Sequence, residues 1–310
     1  MSSTASPVVE PAPSLTRLAP DVYAYLQPDG GWCVSNAGVL LGQDAVTLVD
    51  ATATERRARL LADHIAALTW APVRTLVVTH RHGDHHYGAR TVAPDAVVVA
   101  HERARADIIG DGLNLPGIWP DVAWGEVAPA VPTLTYTDRL TLYAGATRVE
   151  LWHPGPAHTT GDTVVWIPEH RVLFTGDITF SEVTPLCLMG SIEGSLEVLA
   201  RLAALDPAVV VSGHGPLAGP EVFEANAAYL RLVQELAADG VAAGLTPLET
   251  ARKADLGPFQ AWLDAERLVA NLHRAYAEAQ GVDRGAELDN YAILADVAAF
   301  NGGRIPTCFA

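Results

Sequence analysis

The chain has almost no lysine: Lys253 stands alone beside nineteen arginines, and the 36 acidic residues leave a formal net charge of −16. That balance excludes a broad phosphate-binding face, because nucleic acid demands a basic surface. The arginine bias, together with abundant alanine, points to a GC-rich genome. Cysteine is also scarce. Cys33, Cys187 and Cys308 are odd in number and widely spaced, which excludes a disulfide framework and reads as reduced thiols in a cytoplasm. No apolar run approaches the ~20 residues of a membrane span, so no membrane partner is expected. Residues 1–20 lack the basic start and apolar stretch of a secretory signal; rich in Ser, Thr, Pro and Ala, they read as a disordered arm. A serine nucleophile elbow, Gly-x-Ser-x-Gly, is missing as well.

What is present is histidine and aspartate at close spacing. The segment Thr79-His80-Arg81-His82-Gly83-Asp84-His85-His86 follows the apolar run Leu76-Val77-Val78. Neutral imidazole and ionised carboxylate are the donors that a borderline-soft divalent ion such as zinc prefers. His80 and His82 alternate, so an extended backbone puts both on one side, where they can share a metal; Asp84 and His85 fall at a turn and can reach a second. Further candidates stand later: His158 in Gly155-Pro156-Ala157-His158-Thr159, Asp177 in Leu173-Phe174-Thr175-Gly176-Asp177, and His214 in Val211-Ser212-Gly213-His214. Each is expected in the loop just beyond a hydrophobic strand, where α/β proteins gather ligand-binding groups.

These residues together resemble the metallo-β-lactamase superfamily over roughly residues 20 to 220. The resemblance implies an α/β fold, an αββα sandwich, and a pair of zinc ions. It places His80, His82 and His158 on the first ion and Asp84, His85 and His214 on the second, with Asp177 bridging. Asp50, at the end of strand Val46-Thr47-Leu48-Val49, matches the early aspartate that supports the histidine loop from outside, fixing ligand tautomer and basicity. It also implies hydrolysis: two zinc ions about 3.5–4 Å apart activate water near neutral pH and polarise an acyl carbonyl. Asp84 would orient the attacking water and carry a proton to the leaving group. His86 is a candidate extra proton donor, and His153 a structural neighbour of the metal loop.

The pattern of elements fits that sandwich. Strands are expected at 22–26, 34–41, 46–49, 75–78, 96–100, 134–142, 148–152, 163–167, 172–175 and 209–211. Helices are expected at 54–68, 85–92, 102–109 and 196–205. A single domain over 21–219 would then carry a helical extension over 220–310, with helices at 221–238, 247–254, 264–280 and 289–299. That block would cover the sandwich or build a homo-oligomer surface. Residues 110–132, with four prolines and the tryptophans Trp119 and Trp124, are too long for an idle connection and are expected to form a pocket rim.

Departures within the superfamily narrow the expected reaction. Redox diiron members carry glutamate where His82 stands, and zinc β-lactamases commonly lack an aspartate at the Asp177 position, so thioesterase, lactonase and glyoxalase-II-like branches remain. A single-iron persulfide dioxygenase stays open. The segment 22–38, the stretch from Asp177 to Gly194 and the helical C-terminus resemble aromatic-polyketide cyclase/thioesterases of the actinorhodin second-ring type. A pocket from Trp32, Trp119, Trp124, Leu186, Leu188 and Met189 would suit a flat, partly aromatic acyl substrate, free or carrier-bound. The alternatives are a lactonase or glyoxalase-II-like small-ester hydrolase, or a metal-free descendant that only binds.

Overall fold

The computed structural model describes residues 12–310. Seven strands in sequence order make the first sheet: β1 (Ser14–Ala19), β2 (Val22–Leu26), β3 (Ala37–Leu41), β4 (Val46–Val49), β5 (Val73–Val77), β6 (Val97–His101) and β7 (Leu134–Tyr136). The second sheet has five: β8 (Arg139–Ala144), β9 (Thr147–Trp152), β10 (Val164–Ile167), β11 (Val172–Phe180) and β12 (Val209–His214), with β8 and β12 at its edges. Helices α1 (Glu55–Leu68), α2 (Ala89–Val92), α3 (Glu102–Asp111) and α4 (Leu115–Ile118) precede β7. Helix α5 (Ile192–Ala203) joins β11 to β12, and α6 (Glu221–Ala242), α7 (Pro247–Lys253), α8 (Arg267–Ala279) and α9 (Asn290–Phe300) follow.

Strand alternation builds the layers. Side chains one apart on a strand face opposite sides, so Val49, Val77, Val165 and Ile167 fill the space between the sheets with Val22, Leu151 and Phe174. Leu48 and Leu76 face outward instead and pack on Leu61 and Ile65 of α1. Val164 and Trp166 face the other way, onto α5, α6 and α8. The result is the expected αββα sandwich. The C-terminal helices continue the outer helical layer of the second sheet, sharing one core with it.

Several expectations need correction. The arm expected over residues 1–20 is partly a strand, since Ser14–Ala19 pairs antiparallel with β2; residues 1–11 lie outside the described residues. The single strand expected at 134–142 is two: β7 pairs parallel with β6 and β8 antiparallel with β9, so the chain changes sheets at Thr137-Asp138. Periodicity cannot show this, because both pieces keep the alternation. The helix expected at 85–92 is a tight turn, Gly83–His85, followed by the short α2. The three cysteines are free, as expected, with Cys308 packed into the cluster that contains Cys33. Among the described residues no helix is long and apolar enough to cross a membrane.

Candidate metal centre and adjoining pocket

All the candidate ligands gather at one end of the sandwich, where the carboxyl ends of parallel β4, β5, β11 and β12 meet. Asp50 follows β4 in a left-handed conformation (φ 58°) that aspartate tolerates better than most residues. Asp177 and His214 do not lie in loops beyond their strands, as expected, but within them, because β11 continues to Phe180 and β12 to His214. The register shifts at Gly176. That glycine has φ 52°, and a Cβ there would stand 2.6 Å from the Thr79 Oγ1. Only glycine lets the strand kink this close to the histidine loop.

Two donor sets result. His80 Nε2 lies 3.1 Å and His158 Nε2 2.9 Å from His82 Nδ1. Asp177 Oδ2 is 3.8 Å from His80 Nε2 and 3.5 Å from His158 Nε2. In the other set, His85 Nε2 is 3.6 Å and His214 Nε2 3.3 Å from Asp84 Oδ2. The Asp177 carboxylate reaches here too, at 3.1 Å from His85 and 3.5 Å from His214, and so stands between the sets. Donors about 2.0–2.1 Å from a tetrahedral zinc ion are roughly 3.3 Å apart. Both sets have that spacing.

The outward-facing atoms fix which nitrogens point inward. His85 Nδ1 donates to Asp50 Oδ2 at 2.9 Å, His214 Nδ1 to the Gly30 carbonyl at 3.0 Å, and His158 Nδ1 to the Leu186 carbonyl. His80 Nδ1 donates to Thr79 Oγ1 at 3.0 Å, which donates in turn to Asp50 Oδ2 at 2.7 Å. Asp50 thus orients two histidines, one directly and one through Thr79. His82 turns Nε2 towards Met189 Sδ at 3.3 Å, leaving Nδ1 inward. Three imidazole lone pairs then converge at about 3 Å, a repulsive arrangement until a cation or proton sits among them. Buried His85 Nε2 and Asp177 Oδ1 face each other at 3.1 Å without hydrogen-bond geometry, and neither has another hydrogen-bond partner among the described residues. Such orphans are rare without an ion to satisfy them. The residues therefore fit a two-metal site.

The electrostatics agree. Burial holds His80, His82 and His158 below the ordinary histidine range, in the neutral form that binds metal. Burial opposes charge on His85 and His214 too, but the carboxylates of Asp177 and Asp84 outweigh it, lifting His85 well up and His214 to about 9. Below pH 9 a metal entering the second set must therefore displace protons. Its apparent affinity should rise as pH climbs from 6 towards 9, and calorimetric heats of zinc binding at pH 7 should vary with buffer ionisation enthalpy. Heats independent of buffer would show that these histidines are neutral before metal arrives.

A pocket of about 150 Å³ opens from the centre. Trp32, Trp119, Leu186, Leu188 and Met189 line it as expected, with His82, Asp84, Asp177 and His214 at its inner end. Trp124 does not. It stands behind Trp119, packs on Tyr87 and gives its indole N–H to the Trp119 carbonyl at 3.0 Å. Sequence reasoning missed the remaining lining residues, among them Phe180, Ile118 and the α8–α9 residues Arg267, Ala270, Ile293, Leu294 and Val297. No local motif marks them; apolar spacing on a helix gives one face and not its partner. His86 bridges backbone atoms, from the Arg81 carbonyl at 3.0 Å to the Ala130 N–H at 3.2 Å. It ties the metal loop to the 110–132 segment and is not free to move protons. His153 hydrogen-bonds the Asp162 carbonyl at 2.7 Å and stacks on His101.

Comparison with known proteins accords with this geometry. The family model of the metallo-beta-lactamase superfamily matches residues 30–214, more than half of the chain, and the chain belongs to that superfamily of metal-binding hydrolases. It is 24% identical over 220 residues to the metallo-beta-lactamase type 2 of Bacteroides fragilis, covering 68% of this chain and 82% of that one. It is 30% identical over 176 residues to the 2,4-dinitroanisole O-demethylase subunit alpha of Nocardioides sp. (strain JS1661), covering 56% of this chain and 50% of that protein. Among solved structures, a metallo-beta-lactamase from Pontibacter korlensis superposes with a TM-score of 0.57 at 19% identity, covering 71% of this chain and 99% of that one. The DIM-1 metallo-beta-lactamase gives 0.55 at 18% identity, with 71% and 98% covered.

Proposed function

We propose that the protein is a dizinc hydrolase that cleaves the thioester of a bulky, flat, partly aromatic acyl chain, as a polyketide thioesterase/cyclase would. The observation that carries this reading is the tryptophan-walled apolar pocket ending on the two donor sets. Zinc held there would supply electrophilic activation of the carbonyl and of the attacking water; binding, orientation and proton movement belong to the chain. Asp84 lies beside His85 and His214 of the second set and at the pocket's inner end, placed to orient water and return its proton to the departing thiolate. Trp32 and Trp119, with ring centroids 5.6 Å apart, would hold the acyl chain and exclude bulk water. A relative whose name specifies an aryl methyl ether, dinitroanisole, supports acceptance of a flat aromatic group. The acidic chain favours a free or locally docked substrate over electrostatic capture of an acidic carrier protein.

The test is a thioester series from acetyl to naphthoyl on one thiol, beside a lactone and a chromogenic cephalosporin. The naphthoyl thioester should give the highest kcat/KM. Trp119→Leu should raise its KM about tenfold, since burial against tryptophan contributes on the order of 1–3 kcal/mol, and should leave the acetyl thioester nearly unchanged. Trp124→Leu should lower stability and affect both substrates alike, because it supports the wall from behind. Preference for the lactone or for small acyl groups would transfer the assignment to the lactonase or glyoxalase-II-like reading, and preference for the cephalosporin to β-lactam hydrolysis.

A further inference from the structure

Trp32 projects from an irregular loop between β2 and β3. Asp29, Gly30 and Cys33 all have positive φ, at 42°, 74° and 62°. The same loop presents the Gly30 carbonyl to His214 Nδ1 and packs Gly30 onto Gly215, where a Cβ would meet backbone at 2.3 Å. One short segment therefore carries both a pocket wall and a support for a candidate ligand. What holds its tryptophan comes from more than two hundred residues away.

Glu266 and Arg267, at the start of α8, grip Trp32 on its edge and its face. The indole N–H donates to Glu266 Oε1 at 2.7 Å. The Arg267 guanidinium lies 4.3 Å over the Trp32 ring and 5.1 Å over Phe180, a desolvated cation–π arrangement. Arg267 is itself pinned, donating to the Thr184 carbonyl at 3.0 Å and pairing with Asp264 at 2.8 Å. Phe180 stacks on His214, with centroids 5.4 Å apart at 13°. A column of rings and one cation thus runs from the pocket wall to the candidate centre, keyed by two residues of the C-terminal helices.

We propose that Glu266 and Arg267 are positioning residues for substrate selectivity: by fixing the Trp32 indole they make the pocket discriminate for flat aromatic acyl groups. This rests on the functional reading above. Glu266 is partly buried and its carboxylate accepts from a pocket-lining indole, a charge-assisted bond that exceeds an ordinary one.

The experiment uses the full-length zinc-loaded protein and four variants: Glu266→Gln, Glu266→Ala, Trp32→Phe and the double variant Trp32→Phe/Glu266→Ala. Two readouts run in parallel, KM and kcat for naphthoyl and acetyl thioesters, and the Kd of 2-naphthoate measured without turnover. Glu266→Ala should raise the naphthoyl KM and the naphthoate Kd roughly five- to tenfold, with kcat, acetyl KM and zinc content within about twofold of the parent. Glu266→Gln keeps the acceptor and should restore both. Trp32→Phe keeps a ring but has no N–H, so adding Glu266→Ala to it should change nothing further. Additive losses, or equal losses on acetyl and naphthoyl, would overturn the proposal, because Glu266 would then serve the fold generally. If no thioester is turned over while naphthoate binding still follows this pattern, the thioesterase reading falls and the tryptophan clamp stands.

Discussion

Asp84→Asn is expected to lower kcat for the preferred thioester by about 10²- to 10⁴-fold, the usual contribution of a positioned proton carrier, while most of the zinc stays bound. Asparagine keeps an oxygen that can face the second set but cannot take a proton. The carboxylate is held ionised against its burial by His85 and His214, so the charged form is the one available to the reaction. Pre-steady-state kinetics with zinc analysis on the same sample separates the two roles. Full activity at full zinc would remove Asp84 from proton transfer. A loss of activity that merely tracks a loss of zinc would leave it a ligand and nothing more.

Metal removal should have the second large effect. Protein purified without chelator is expected to carry two zinc ions per chain by elemental analysis, and dialysis against dipicolinate should abolish turnover. Each site re-occupied at a free-metal concentration about 100-fold above its Kd adds about 2.7 kcal/mol of stability, so the melting temperature should rise on reloading. His158→Ala should empty mainly the first site and His214→Ala mainly the second, because each belongs to one donor set. Asp177→Asn should lower occupancy of both, since its carboxylate lies between them. Metal content near zero with an unchanged melting temperature, or a single iron, would remove the dizinc assignment.

The donor set was legible in the sequence because metal chemistry restricts residue type so severely. His80, His82, Asp84, His85, His158, Asp177 and His214 follow apolar runs, and the fold brings all seven together. The sandwich was legible for a similar reason: runs such as 46–49 and 164–167 are apolar almost throughout, as strands buried on both faces require. The change of sheet at Thr137-Asp138 and the strand at Ser14–Ala19 were not. The first keeps one phase of alternation on both sides of the corner, with Leu134 and Tyr136 before Asp138, and Leu140 and Leu142 after it. The second is a half-exposed edge strand whose polar composition matches that of a loop.

The pocket divides in the same way. The sequence by itself supplied its aromatic stock, and it named Trp32, Trp119, Leu186, Leu188 and Met189 through segments that resemble aromatic-polyketide cyclases and through the long 110–132 stretch. It could not separate Trp119 from Trp124, five residues apart in one irregular stretch, because only packing sends one ring to the cavity and the other behind it. It also gave no sign that α8 and α9 line the pocket or that Glu266 reaches Trp32. Ligand identity is local chemistry, written in residue type and short spacing. Which apolar side chain lines a cavity depends on contacts between segments hundreds of residues apart, and only the tertiary structure decides those.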